Sequence, residues 1–168
     1  MTLRMPAARA QSTAEARVEG LTQPEIEAWG RRLGAEAERP LVLALRGPLG
    51  AGKSVLARAI ARGAGVTGAL PSPTFNLVYR YEPGGTREVY HLDLYRLEDP
   101  EEVWELGWRE LGEGDQIVMI EWPERAEHLL PAPRWDVELR IEADPERRTV
   151  IARGVGAPPL LPPPRSGR

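Results

Sequence analysis

Residues 41–54 of this chain are Leu-Val-Leu-Ala-Leu-Arg-Gly-Pro-Leu-Gly-Ala-Gly-Lys-Ser. The first five are all apolar, which is typical of a strand buried on both faces of a sheet. A glycine-rich loop follows, and residues 55–64 are predicted to form a helix. Because a strand, a G-x-x-x-x-G-K-[ST] loop and a helix stand in this order, the stretch predicts a phosphate-binding loop. The backbone N–H groups of the first helical turn would then face the phosphates.

The only lysine of the chain lies in this loop, whereas the other 21 basic residues are arginine. Lysine is a compact point charge and arginine a planar fork, so the two are not interchangeable. Lys53 occupies the position that reaches the β/γ-phosphates, and Ser54 supplies the hydroxyl that holds Mg²⁺. The residues predicted to bind the nucleotide in this loop are Leu49, Gly50, Ala51, Gly52, Lys53, Ser54 and Val55.

The composition narrows the class of protein. A length of 168 residues is typical of one domain, and a net charge of −3 argues against broad electrostatic capture of nucleic acid. The chain has no cysteine, which excludes disulfides and cysteine-ligated zinc, and its two histidines lack the spacing of metal ligands. No apolar stretch is long enough to span a membrane, and residues 1–20 lack the apolar segment of a signal peptide. We therefore expect a cytoplasmic protein.

The chain divides into three parts. Residues 1–20 are small and polar without apolar periodicity, and residues 154–168 are rich in proline, so both are predicted to be disordered. Residues 21–153 are predicted to form a single domain. It begins with a helix over residues 24–37, for which Thr22 is a candidate cap. The later strands are predicted at residues 75–81, 89–94, 117–120, 135–141 and 149–152.

A phosphate loop needs an acidic partner for Mg²⁺, and two residues are candidates. Glu121 follows the apolar run 117–120, so its carboxylate would emerge at the carboxyl edge of the sheet, where ligands bind in open α/β sheets. Asp93 ends a second predicted strand that alternates like a half-exposed one. Thr74, in the loop after the phosphate-loop helix, could serve as a switch hydroxyl or as an ordinary turn residue.

Four motifs occur in a fixed order, and together they resemble one protein family. They are Gly-x-Leu-Gly-Ala-Gly-Lys-Ser at 47–54, Ser-Pro-Thr-Phe at 72–75, His-Leu-Asp-Leu-Tyr-Arg at 91–96 and Ile-Glu-Trp-Pro-Glu at 120–124. The chain is similar over residues 21–153 to the bacterial TsaE (YjeE) family, which acts in the biosynthesis of threonylcarbamoyladenosine in tRNA.

The resemblance implies an α/β fold of the P-loop NTPase type, a single domain with a mixed central β-sheet flanked by helices. It also implies a weakly hydrolysing ATPase that acts with the partner proteins TsaB and TsaD and does not itself transfer the threonylcarbamoyl group to the adenosine beside the anticodon. ATP and Mg²⁺ are the implied cofactors, and direct contact with tRNA is left open.

The resemblance also assigns roles to residues of this chain. Lys53 would contact phosphates, Ser54 and Glu121 would hold Mg²⁺, and Thr74 would be the switch-loop hydroxyl. Asp93 would act near the metal or the water, and Trp122, which by pattern alone is either a lid or a core aromatic, would be a residue needed for activity. The residues suggested to line the nucleotide base are Thr22, Gln23 and Arg147.

The chain departs from the family pattern beside the lysine. Ser54-Val55 stands where the family commonly has two threonines, so the metal-binding hydroxyl is kept and a hydroxyl contact to the α-phosphate is lost. Two other kinds of protein could use the same loop. One is a small-molecule kinase, and the other is an adaptor whose affinity for its partner depends on bound nucleotide while hydrolysis is incidental.

Overall fold

A computed structural model describes residues 14–71, 73, 76–81 and 88–166. These residues form seven β-strands, two α-helices and three 3₁₀ segments. The strands are β1 (Glu15–Leu21), β2 (Leu41–Arg46), β3 (Val78–Tyr81), β4 (Glu88–Asp93), β5 (Gln116–Glu121), β6 (Arg134–Ile141) and β7 (Arg148–Val155). The α-helices are α1 (Gln23–Glu36) and α2 (Lys53–Gly63), and the 3₁₀ segments are Pro100–Leu106, Trp108–Glu110 and Pro123–Leu129.

The strands form one mixed sheet in the order β1-β7-β6-β2-β5-β4-β3. Strand β2 is parallel to both β5 and β6, and β4 is parallel to β5, while the pairs at the two outer sides are antiparallel. Since β2, β4 and β5 run in the same direction, their carboxyl ends meet at one edge. Leu45 and Asp93 are each in register with Glu121 at this edge, which therefore collects the phosphate loop and both candidate acids.

The two faces of the sheet have separate cores. Helices α1 and α2 cover one face, where Leu33 and Ile60 pack with Leu43 of the central strand. The 3₁₀ segments cover the other face, with Trp108 packing on Ile120. Because these buried contacts hold α2 against β2, the start of α2 lies in a defined place at the sheet edge.

Helices α1 and α2 approach closely through glycine. A Cβ atom at Gly63 would overlap the backbone carbonyl of Arg31, and one at Gly34 would overlap the carbonyl of Ile60. Side chains larger than hydrogen are therefore excluded from both positions, and the close approach helps to fix the helix that carries the phosphate loop.

The predicted disorder of residues 15–20 is wrong, because these residues belong to β1. Its backbone pairs antiparallel with β7, and Glu15 is opposite Arg153. The strand is at the edge of the sheet and only Leu21 in it is buried, so apolar periodicity could not reveal it. Residues 1–13 lie outside the described part of the chain.

The predicted disorder of the C-terminal tail is also wrong for residues 154–166. Strand β7 continues to Val155, and the indole N–H groups of Trp135 and Trp29 donate 2.7 Å hydrogen bonds to the carbonyls of Pro159 and Pro162. Leu161 packs against the α1–α2 core. An extended proline-rich segment leaves its carbonyls free to accept, and this is why side chains distant in sequence can hold it.

Among the residues that the structure describes, no helix is both long and apolar enough to cross a membrane.

Candidate functional site

The phosphate loop connects β2 to α2 and depends on glycine at two points. Gly47 has φ +140°, and a Cβ there would lie 2.5 Å from the carbonyl oxygen of Leu139. Gly52 is the N-cap of α2 with φ +104°, a left-handed conformation that other residues adopt only with strain. Gly47 turns the chain at the end of β2 and Gly52 turns it at the start of α2, whose first-turn N–H groups are free to face a ligand.

Lys53 is buried in the loop with a side chain that is 5 % exposed. Its Nζ donates to the carbonyls of Gly47 at 2.6 Å and Pro48 at 2.9 Å, and it lies 4.0 Å from the centroid of the Trp122 ring. Burial lowers the pKa of the amine below its ordinary value, and the neighbouring Glu121 carboxylate opposes that shift. The cation is therefore held by two backbone carbonyl dipoles and by the face of an aromatic ring.

Glu121 is 1 % exposed and has a hydrogen-bond partner at each carboxylate oxygen. The Ser54 hydroxyl donates to Oε1 at 2.7 Å, and His91 Nε2 lies 2.8 Å from Oε2. The structure thus brings together the two residues that the sequence suggested for Mg²⁺. A hydroxyl and a carboxylate are the hard oxygen donors that Mg²⁺ takes when water and phosphate supply its remaining ligands, so these side chains fit the ion.

Asp93 ends β4 beside Glu121 and is more buried than its sequence pattern indicated. Its side chain is 6 % exposed, because the strand lies inside the sheet between β3 and β5. Oδ1 accepts a hydrogen bond from the Tyr95 backbone N–H at 3.0 Å, which orients the carboxylate at the sheet edge. Of the two candidate acids, Glu121 alone is bonded to Ser54, and Asp93 lines the same cavity.

Trp122 lies at the site itself, between Lys53 and Tyr95. Its φ of +53° is unusual for a residue that carries a side chain, and it sends the chain out of β5 into the next 3₁₀ segment. The indole ring is half-buried, with its centroid 4.9 Å from that of Tyr95. Trp122 therefore packs against the second core, lines the cavity and presents its ring to the lysine amine.

A cavity of about 470 Å³ opens beside the loop. Most residues proposed from the sequence line it: Gln23, Leu49, Gly50, Ala51, Gly52, Lys53, Ser54, Val55, Asp93, Glu121 and Trp122. Further lining residues are Ile26, Tyr95, Pro145, Glu146 and Arg148. Thr74 lies outside the described residues, so its predicted role stays a prediction.

The structure does not bring two of the suggested base-contacting residues to this cavity. Thr22 is at the N-terminus of α1, where its backbone N–H and its hydroxyl both donate to Oε2 of Glu25, at 2.7 and 2.9 Å. The guanidinium of Arg147 is turned toward β1 and donates to the Gly20 carbonyl at 2.8 Å. Of the three residues suggested for the base, Gln23 alone lines the cavity.

Among the lining residues that the sequence reasoning missed, Arg148 contacts the phosphate loop directly. Its guanidinium donates to two carbonyls of the phosphate loop, those of Ala51 at 3.0 Å and Gly50 at 3.2 Å. The alternation of side chains along β7 could have identified Arg148 from the sequence. Arg148 has the same parity as Val150 and Ala152, which pack in the core with α1 and α2, so it points to the face of the sheet that carries the loop.

Residues 21–150 match the sequence model of the family described as "Threonylcarbamoyl adenosine biosynthesis protein TsaE". The chain belongs to the TsaE family. The resemblance drawn from the four motifs is thereby confirmed. Members of this family take part in the biosynthesis of threonylcarbamoyladenosine in tRNA, and a phosphate loop suited to nucleotide binding fits that family.

Individual relatives agree with the family assignment. The tRNA threonylcarbamoyladenosine biosynthesis protein TsaE of Treponema pallidum is 36 % identical over 124 residues, which cover 74 % of this chain and 90 % of that protein. The Rickettsia bellii protein of the same name is 38 % identical over 75 % of this chain and 87 % of its own length. The Haemophilus influenzae TsaE is 44 % identical over 94 residues, a match that covers 56 % of this chain and 59 % of that protein.

The crystal structure of Bacillus subtilis YdiB has the same fold as this chain. The two superpose with a TM-score of 0.68 at 25 % sequence identity, covering 88 % of this chain and 90 % of the other. This agreement, together with the seven-stranded mixed sheet, confirms the predicted α/β fold of the P-loop type.

Proposed function

We propose that this chain binds ATP with Mg²⁺ in the cavity beside the phosphate loop and hydrolyses it slowly. In doing so it would support formation of the threonylcarbamoyl group on the adenosine next to the tRNA anticodon. The observation that carries this function is the convergence of Lys53, Ser54 and Glu121 on one cavity at the carboxyl edge of the sheet.

Phosphate binding would rest on the loop and on Lys53. The N–H groups at the start of α2 supply fixed dipoles, which need no reorganisation when a phosphate arrives. The lysine would exchange the carbonyls of Gly47 and Pro48 for phosphate oxygens. Because Lys53 is buried under Trp122, its charge acts through a medium less polarisable than water and attracts the phosphates more strongly. At Val55 only the backbone N–H is available to the α-phosphate.

Ser54 and Glu121 are the residues that would hold Mg²⁺, which when bound neutralises charge on the phosphates. Asp93, fixed by the Tyr95 N–H, would orient the attacking water or support the metal shell. Thr74 would contribute a switch-loop hydroxyl. In these roles the chain provides positioning and electrostatic stabilisation, which are the main requirements of phosphoryl transfer.

The proposed partners are TsaB and TsaD, whose complex would carry out transfer of the group while this chain supplies an ATP-dependent step. Since the product is a modified tRNA, the proposed place of action is the cytoplasm.

Replacement of the lysine tests the site. We expect Lys53→Ala to abolish ATP hydrolysis and to leave the fold intact, whereas Arg58→Ala, on the same helix and outside the ATP cavity, should hydrolyse ATP as the parent does. Phosphate release and thermal melting are measured on all three proteins. Normal hydrolysis by Lys53→Ala would contradict the assignment of the site.

Addition of the TsaB–TsaD pair tests the pathway role. Hydrolysis should rise, and a complex should elute on gel filtration. An unchanged rate together with no complex would contradict the role in tRNA modification. Labelled phosphate on a metabolite instead of in water would identify a kinase. A Glu121→Ala variant that still supports repeated tRNA modification without hydrolysis would identify a nucleotide-gated adaptor.

A further inference from the structure

A series of polar contacts leads from the phosphate loop into the sheet. Ser54 and His91 each bond one oxygen of Glu121, as described above, and His91 Nδ1 lies 3.3 Å from the hydroxyl of Tyr81. That hydroxyl also donates to the backbone carbonyl of Pro71 at 2.7 Å. His91 is fully buried and Tyr81 is 6 % exposed, so water cannot readily replace either of them.

The directions of these bonds follow from the donors available. Glu121 accepts from Ser54 at one oxygen, and at the other it accepts from His91 Nε2–H. In the neutral imidazole, Nδ1 is then an acceptor. Tyr81 consequently has a single proton and two acceptors within reach, Pro71 O and His91 Nδ1. Burial raises the pKa of Tyr81 to about 12, so the hydroxyl keeps this proton at neutral pH.

This arrangement constrains Glu121 more than packing alone would. A buried carboxylate is costly unless both of its oxygens are bonded, and each donor here fixes one oxygen. Without His91, the carboxylate could rotate to find another donor, and Oε1 would no longer be directed at Ser54. Partners of this kind, which contact a ligand and not the metal, commonly affect metal affinity in proteins.

We propose that His91 and Tyr81 are positioning residues that aim the Glu121 carboxylate at Ser54 and connect it to the backbone at Pro71, an inference that rests on the proposed function of the site. Pro71 precedes Thr74 by three residues in the sequence. These contacts thus join the proposed metal-holding pair to the residue from which the chain continues toward the predicted switch hydroxyl.

The test is ADP binding measured by titration calorimetry, with and without Mg²⁺. In His91→Leu, which lacks both ring nitrogens, we expect the Mg²⁺-dependent gain in ADP affinity to fall roughly 10-fold. His91→Gln can still donate an N–H toward Glu121 and should retain most of the gain. Tyr81→Phe should lose a few-fold, roughly, since it acts one bond further away. Binding without Mg²⁺ should stay at the level of the parent in all three, because the phosphate loop is untouched.

Tyr79→Phe is the matched control. Tyr79 lies on the same strand, and its ring stacks on Tyr81 with centroids 6.0 Å apart. Among the described residues, its hydroxyl accepts only a long 3.4 Å hydrogen bond from Asn76. Like Tyr81→Phe, the Tyr79→Phe variant loses a phenolic hydroxyl, but this hydroxyl does not reach His91. The Mg²⁺-dependent gain in ADP affinity of Tyr79→Phe should therefore equal that of the parent.

The possible outcomes distinguish a failure of the proposed metal site from a failure of the positioning role. If the parent protein shows no gain with Mg²⁺, the proposed metal site fails. If the parent shows the gain and both His91→Leu and Tyr81→Phe retain it as fully as Tyr79→Phe does, the positioning role is overturned. The same conclusion follows if His91→Gln loses as much as His91→Leu. If His91→Leu does not fold, the comparison of Tyr81→Phe with Tyr79→Phe tests the positioning role. An equal Mg²⁺-dependent gain in ADP affinity in these two variants would then overturn it.

Discussion

Arg148 offers a sharp test of how the phosphate loop is held open for a nucleotide. Its guanidinium bridges from the start of β7 to the carbonyls of Gly50 and Ala51. The loop between β2 and α2 has few other side chains to fix it, since Leu49 at its tip is 79 % exposed. Arg148→Ala should therefore leave the loop less ordered before the nucleotide binds, while the lysine and serine remain in place.

The size of the effect follows from the two bonds to the loop. Each is worth about 1 kcal/mol once the partial exposure of the guanidinium is considered. Together they bias the loop toward its binding conformation by about 1–2 kcal/mol, and a loss of 1.4 kcal/mol corresponds to a tenfold change in Kd. We expect the Kd for ADP to rise roughly 5- to 30-fold in Arg148→Ala. Lysine keeps the charge but lacks the planar guanidinium, so the Kd of Arg148→Lys should lie between those of the parent and of Arg148→Ala.

Arg147→Ala is the control, because the neighbouring guanidinium bonds Gly20 outside the cavity. ADP binding is measured by calorimetry, and thermal melting is followed in parallel to show that each variant is folded. An unchanged Kd in Arg148→Ala would refute the reasoning. An equal or larger loss in Arg147→Ala would also refute it, and would support the role that the resemblance implied for Arg147.

Three further predictions concern the scaffold of the site. Gly63→Ala should lower the melting temperature strongly, because its Cβ would overlap the Arg31 carbonyl where α1 meets α2, whereas Arg58→Ala on the same helix should change it little. Trp29→Phe removes the 2.7 Å bond to Pro162 and part of a buried ring, so it should cost at least about 1 kcal/mol, with faster tryptic cleavage after Arg165. Trp104→Phe, whose exposed indole bonds Glu101, should leave that cleavage rate unchanged. The Gly20 N–H and then the Thr149 hydroxyl hold the pKa of Glu142 below its ordinary 4.5, so its stabilising contribution is fully present above pH 4.5 and is lost as the pH falls through the lower folded-state pKa. Urea unfolding should therefore show the parent to be more stable than Glu142→Gln at pH 7, with a difference that narrows in acid; a constant difference would contradict this assignment.

Local sequence patterns were sufficient for the central part of the fold. The apolar run before the glycines predicted β2, and the motif predicted the start of α2 within two residues. Glu121 was correctly expected at the carboxyl edge, because a charged residue after four apolar ones must emerge where the strand ends. These features depend on neighbours in the chain and on the period of the backbone, so one sequence can reveal them.

Features that depend on distant residues were not predictable in the same way. Strand β1 is stabilised by backbone pairing with β7, and the tail is held by two indoles at Trp29 and Trp135. Neither the strand pairing nor the indole contacts leave a periodic pattern in the sequence. Composition therefore favoured disorder both in residues 15–20 and in the tail. Arg148 was missed for a different reason, since the turn before β7 hid which of two adjacent arginines shares the face of Val150.

The amino-acid sequence was enough to predict a phosphate-binding loop, because the motif is contained in consecutive residues that include the single lysine of the chain. It also determined the family, through four motifs in a fixed order. The tertiary structure alone decided how these motifs meet: Lys53 lies under Trp122, Ser54 bonds Glu121, and His91 holds the second oxygen of that carboxylate. Such contacts join residues up to 69 positions apart, and they exist only because parallel strands bring their carboxyl ends to the same edge of the sheet.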